Sequence, residues 1–117
     1  MAAPMITTAD LYKLVQALTG KDSAYAVGKY LGASNLTARR WRDDLHTMDD
    51  VFAIRAAQAL GLDSDHVLAC LAMERAERAG HADTAAVWRH VALRLATAAS
   101  VVFLGVYSVF LINSPVL

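Results

Sequence analysis

From residue 8 to residue 95 the apolar positions recur three and four residues apart, the spacing of one face of a helix. Leu11, Leu14, Val15 and Leu18 make such a stripe, predicting a first helix over 9–18 with Thr8 as its cap and Gly20 as its stop. Ala24, Val27, Tyr30 and Leu31 predict the buried face of a second, over 22–31, ended by Gly32. Ser34 caps a short third helix over 35–42, with Trp41 as its largest apolar residue. A fourth begins at Asp49 and Asp50, where negative charge suits the helix dipole, carries Val51, Phe52, Ile54, Ala57 and Leu60, and stops at Gly61. A fifth runs from the Asp63-Ser64-Asp65 cluster to Gly80 with Val67, Leu68 and Leu71 inward; Glu74, Arg75, Glu77 and Arg78 are expected to form a solvated surface. The sixth starts near Asp83, turns Trp88, Val91, Ala92 and Leu95 to one side, and meets no breaker before Asn113 and Pro115. No period-2 run and no Asn-Gly hairpin signal interrupts this pattern, so the fold class is all-α.

The distribution of charge divides the chain. All 22 charged residues, 11 basic and 11 acidic, fall between Asp10 and Arg94. Apolar residues make up 56% of the chain, above the roughly 45–50% of an ordinary soluble domain. The excess sits in the eighteen uncharged residues LATAASVVFLGVYSVFLI, 95–112. As a helix this segment spans roughly 27 Å, close to the ~30 Å of a bilayer's hydrocarbon core. It is therefore expected to be a single transmembrane helix, with Leu95, Val101, Val102, Phe103, Leu104, Val106, Tyr107, Val109, Phe110, Leu111 and Ile112 facing lipid. Arg89 and Arg94 flank it on the N-terminal side only, which by the positive-inside rule keeps the preceding domain in the cytoplasm and places the chain in the inner membrane. Thr97, Ser100 and Ser108 share one face, a small-residue stripe suited to self-association in lipid. The competing expectation is a helix buried in a soluble oligomer. The beginning of the chain, MAAPMITTAD, has neither the basic residues nor the apolar run of an export signal, and residues 1–8 are expected to fray.

Chemistry of the catalytic kind is not indicated. Nothing in the sequence suggests a nucleophile activated by a base or paired acids in a cleft, and no phosphate-binding glycine motif occurs, so an enzyme is not expected. His66, Cys70 and Glu74 lie four residues apart on one helical face, a spacing open to metal. The lone Cys70, beside Leu68 and Leu71, reads better as a small core residue, and no metal or cofactor is expected.

The informative segment is AYAVGKYLGASNLTARRWR, residues 24–42. Gly28 is a small residue where two helices would approach, Gly32 supplies a tight turn, Ser34 caps the second helix, and Ala38 and Trp41 anchor it. The exposed set is then Ser34, Asn35, Thr37, Arg39, Arg40 and Arg42, with Lys29 beside it. Arginine pairs with guanine edges or phosphates, asparagine with adenine, and hydroxyls with phosphate. This segment, with YAVGKYLGAS, RRWR and LGLDSDHVLACLAMERAERAGHADTAAVWRHVA, resembles the Cro-and-repressor-like helix-turn-helix family, and in particular small phage and prophage proteins that join such a domain to an apolar C-terminal helix.

The resemblance covers roughly residues 8–95 and implies a lambda-repressor-like bundle whose third helix enters the major groove of double-stranded DNA. Base contacts would map onto Ser34, Asn35, Thr37, Arg39 and Arg40, with Arg42 and Lys29 on the backbone. Three departures stand out: Leu36 replaces a polar reader, Ala38 replaces a larger β-branched anchor, and Asp43 and Asp44 place negative charge beside the arginines. The organisation expected is a flexible 1–8, a helix-turn-helix domain over 9–62, a connector hairpin over 63–94, the transmembrane helix 95–112 and a short tail 113–117. The function implied is a membrane-anchored transcriptional regulator acting as a homo-oligomer. The alternative is a phage membrane or assembly protein that keeps the bundle for docking and binds no DNA.

Overall fold

A computed structural model describes residues 5–96. Among them are six helices and no strand, in the order α1 (Thr8–Thr19), α2 (Ala24–Leu31), α3 (Asn35–Arg42), α4 (Asp50–Leu60), α5 (Ser64–Arg78) and α6 (82–96). The chain is all-α over this range. Gly20, Gly32 and Gly61 occupy the C-caps of α1, α2 and α4, where the sequence places its stops. Of the apolar segment 95–112, everything from residue 97 onward lies outside the described residues. No helix among the described residues is long and apolar enough to cross a membrane.

Two cores meet at α5. The larger takes Leu11, Tyr12 and Val15 from α1, Val27 and Leu31 from α2, Ala38 and Trp41 from α3, Met48 from the α3–α4 loop, Ala53, Ala56 and Ala57 from α4, and Val67 and Leu71 from α5. The opposite side of α5 offers Ala69, Cys70, Met73 and Ala76, which meet Ala85 and Ala92 of α6. Small side chains along this second seam let two helix backbones lie close. Met5 and Ile6 pack against the same seam, so the end of the segment expected to fray is held from residue 5 onward.

Several sequence expectations change at the surface of α1, α2 and α4. The cap of α1 is Thr7, not Thr8: the Thr7 hydroxyl accepts from the Asp10 N–H at 3.1 Å and the Asp10 carboxylate accepts from the Thr7 N–H at 3.0 Å, a capping box. Thr8 itself is fully buried, and it rotates the inward face of α1 to Thr8, Leu11, Tyr12 and Val15. Leu14 and Leu18 consequently stay 45% and 48% exposed. Tyr30 and Val51 are likewise turned outward, and α4 packs instead through its alanines.

The largest correction concerns α5. Its charged second half is a solvated face only in part: Arg75, Glu77 and Arg78 are exposed, while Glu74 turns inward and the two arginines are engaged. The Glu74 carboxylate accepts from the Thr8 N–H at 2.9 Å and from the Thr8 hydroxyl at 2.6 Å, across 66 residues of chain. The same hydroxyl accepts from the Met48 N–H at 2.9 Å. Arg75 reaches the Met48 carbonyl at 3.4 Å and Asp50 at 3.5 Å, while Arg78 binds Thr47, the Asp44 carbonyl and the Asp44 carboxylate. Helix α5 thus clasps the start of α1 and holds the α3–α4 loop at Asp44, Thr47 and Met48.

Removal of the Thr8 hydroxyl leaves the enclosed Met48 N–H without its acceptor and Glu74 without its hydroxyl donor. Thr8→Val is expected to lower stability by about 2–4 kcal/mol in urea denaturation. Thr8→Ser, which keeps the hydroxyl, is expected to cost only about 1 kcal/mol.

Candidate nucleic-acid interface

Helices α2 and α3 are joined by a turn that leaves little room for side chains. A Cβ on Gly28 would stand 3.0 Å from the Ala33 carbonyl oxygen, 3.1 Å from the Ala38 Cβ and 3.2 Å from the Ser34 carbonyl oxygen. The two helices therefore approach through Gly28 on one side and Ala38 on the other, which accounts for the small residue at 38. Gly32 adopts φ +82°, and the chain reverses there with the Ala33 N–H donating to the Gly28 carbonyl at 2.8 Å. Ser34 then caps α3: its hydroxyl accepts from the Thr37 N–H at 3.1 Å and donates to the Thr37 hydroxyl at 2.9 Å.

Helix α4 braces this turn from behind. The Arg55 guanidinium donates to the Leu31 carbonyl at 2.8 Å, satisfying one of the open acceptors at the end of α2. It also lies over the Phe52 ring, 5.9 Å from its centroid, and Phe52 packs edge-on against Trp41 with centroids 5.4 Å apart. A relay of Arg55, Phe52 and Trp41 therefore couples the end of α2 to the anchor of α3. Sequence reasoning missed Arg55, although it is the single cation in DVFAIRAAQAL and stands between apolar neighbours.

The candidate residues divide into three groups. Asn35, Arg39, Arg40 and Lys29 are exposed, and no side-chain hydrogen bond or ion pair engages them among the described residues. Ser34 and Thr37 are occupied by the cap, though Ser34 stays exposed and Thr37 half-buried. Arg42 turns aside and binds Asp43 at 2.9 Å and 3.2 Å. That hydrogen bond holds the Asp43 carboxyl below the usual carboxylate range and raises the Arg42 guanidinium further.

At roughly 100° per residue, the line opposite Ala38 and Trp41 passes through Leu36 and Asp43, with Arg39 and Arg40 on either side of it. Leu36 is 56% exposed there. Asp44 takes φ +57°, a left-handed conformation that aspartate tolerates better than most residues, and its carboxylate pairs with Arg78. Beside this surface, Leu18, Lys21, Tyr25, Lys29 and Tyr30 line an open cleft of about 540 Å³ between the end of α1 and α2.

The second constellation, on α5, is drawn into packing. His66 Nδ1 lies 2.9 Å from the Ala92 carbonyl, which can only accept, so Nδ1 carries the proton. Nε2 then faces the Cys70 sulfur at 3.5 Å, and burial pushes the Cys70 thiol up. Glu74 faces away to Thr8. Among the described residues no group of three His, Cys, Asp or Glu is gathered as metal ligands.

The contact at Gly28 predicts a stability effect. Gly28→Ala forces the α2–α3 turn apart and is expected to cost about 1–3 kcal/mol, read from the urea midpoint, even though alanine is the better helix former. No family model, curated protein or solved structure matches this chain.

Proposed function

We propose that the chain is a helix-turn-helix DNA-binding regulator whose apolar segment 95–112 anchors it to a membrane. The observation that carries the DNA reading is the state of Arg39 and Arg40: both stand exposed on the outer face of α3, without an ion pair among the described residues, beside a turn closed by Gly28 and Gly32. Free guanidinium groups on a short helix are what a major groove requires. In this reading Arg39, Arg40 and Asn35 address base edges and phosphates, Lys29 holds the sugar-phosphate backbone from α2, and Ser34 and Thr37 keep the N-terminal end of α3 in shape. Arg42 contributes less, since Asp43 occupies it. So few cations bind weakly alone, and a homo-oligomer engaging two half-sites is expected.

Leu36 and Asp43, at the middle of the outer face of α3, favour a second reading in which the same surface docks a protein and no DNA is bound. The test uses the full-length chain and a random-sequence duplex pool. Wild type is expected to retain duplex, with affinity falling as salt rises. Arg39→Ala with Arg40→Ala is expected to reduce affinity at least tenfold and to lower the salt slope by about two. Unchanged retention in the double variant, or no retention by wild type, leaves the docking reading.

The anchor is tested separately. Full-length protein is expected in the membrane fraction after an alkaline wash, and Leu104→Asp is expected to release it, because a charge at mid-span costs about 2.5–3.5 kcal/mol. Recovery of the wild type as a detergent-free, monodisperse soluble oligomer overturns the anchor.

A further inference from the structure

We propose that Arg78, on α5 and 36 positions after the end of α3, is a positioning residue of the DNA interface, neutralising Asp44 and holding the loop that follows the recognition helix. The inference rests on the DNA reading above and adds to it a residue outside the helix-turn-helix.

Two carboxylates follow the arginines of α3 directly, and unpaired they would oppose a phosphate backbone. Neither is unpaired. Asp43 is bound by its neighbour Arg42. The ion-pair partner of Asp44 arrives from α5. Arg78 donates from Nη2 to the Asp44 carboxylate, from Nη1 to the Asp44 carbonyl at 3.0 Å, and from Nε to the Thr47 hydroxyl at 3.1 Å. All three guanidinium nitrogens are thus spent on one loop, the use for which a planar fork is suited. The loop in turn closes α3, with the Asp44 N–H donating to the Trp41 carbonyl at 3.2 Å and the Leu45 N–H to the Arg40 carbonyl at 2.9 Å. The left-handed turn at Asp44, where φ is +57°, is stabilised by the same guanidinium.

Glu74 also lies 3.7 Å from Arg78, but its carboxylate is largely enclosed and engaged by Thr8, whereas Asp44 is open to solvent and to any polyanion beside α3. Arg78 therefore decides the net charge presented at the C-terminal end of the recognition helix. The wild-type pair presents none, loss of Arg78 presents a free carboxylate, loss of the Asp44 charge presents a free guanidinium, and loss of both presents none.

That ordering is the experiment. Full-length wild type, Arg78→Gln, Asp44→Asn and the double variant are titrated with the random-sequence duplex pool at low and moderate salt, alongside the Arg39→Ala/Arg40→Ala protein. Asparagine adopts the left-handed conformation at least as readily as aspartate, so Asp44→Asn alters charge without straining the turn. Arg78→Gln is expected to bind about fivefold more weakly at low salt and Asp44→Asn about twofold more tightly, with both differences shrinking as salt rises. The double variant is expected to return to within about twofold of wild type, because charges of opposite sign have been removed together. A purely structural role for Arg78 predicts no such rescue. A double variant as weak as Arg78→Gln, or an Arg78→Gln protein that binds like wild type while the Arg39/Arg40 variant does not, overturns the inference alone. If Arg78→Gln fails to fold, Asp44→Asn still decides: affinity equal to wild type overturns it. Absence of DNA retention by wild type overturns the DNA reading and this inference with it.

Discussion

The Glu74 carboxylate, enclosed between α1 and α5, accepts both the N–H and the hydroxyl of Thr8, and that hydroxyl accepts the N–H of Met48. Three segments distant in sequence are joined at one point. An enclosed carboxylate is costly without hydrogen-bond donors, and a buried N–H is costly without an acceptor, so each member of this group depends on the other two. The first turn of α1 supplies donors that every helix start leaves open, and α5 supplies the acceptor. Met48 is fully buried in the larger core directly beside this junction. The position of the α3–α4 loop, and through it the end of α3, follows from that bond.

Helix α3 is too short to hold its shape unaided; isolated helices below roughly 12–15 residues are marginal in water. Its order comes from outside. Ser34 ties its first turn, the close approach of Gly28 and Ala38 sets its distance from α2, Trp41 seats it in the core, and the Arg55–Phe52 pair on α4 presses on Trp41 while closing the end of α2. Its last turn is held by the loop that α5 grips. The outer face is left with Asn35, Leu36, Arg39 and Arg40 and has no part in that support. A surface free of structural duty can vary in sequence while the scaffold stays the same.

How much of this could be read from the sequence depended on how local each determinant is. Ser34 and the bounds of α3 are legible because a cap and its helix are adjacent in the chain, and the stops at Gly20, Gly32 and Gly61 are legible for the same reason. The inward face of α1 was half legible. Two overlapping stripes share Leu11 and Val15, one adding Leu14 and Leu18 and one adding Thr8 and Tyr12; burial of Thr8 against Glu74 selects the second. Nothing local in α5 distinguishes Glu74 and Arg78 from a solvated charged run, since their partners stand 66 and 34 residues away. For the candidate site, the composition of the α3 face was legible from 3.6-residue periodicity. The neutralisation of Asp43 and Asp44 was not, because one of the two cations comes from another helix.

The 66-residue separation between Thr8 and Glu74 also orders events in time. A chain emerging from the ribosome folds as its N-terminal parts become available, and contacts distant in sequence close last. When α1 to α4 have all emerged, the N–H and hydroxyl of Thr8 still lack the carboxylate that accepts from both. Only the second half of α5 completes the junction. The α2–α3 unit is thus finished not when its own residues have been made but some thirty positions later. Until then α3 lacks the grip of α5 on the loop that closes its last turn, and a ribosome stalled between α4 and α5 would display that immature form.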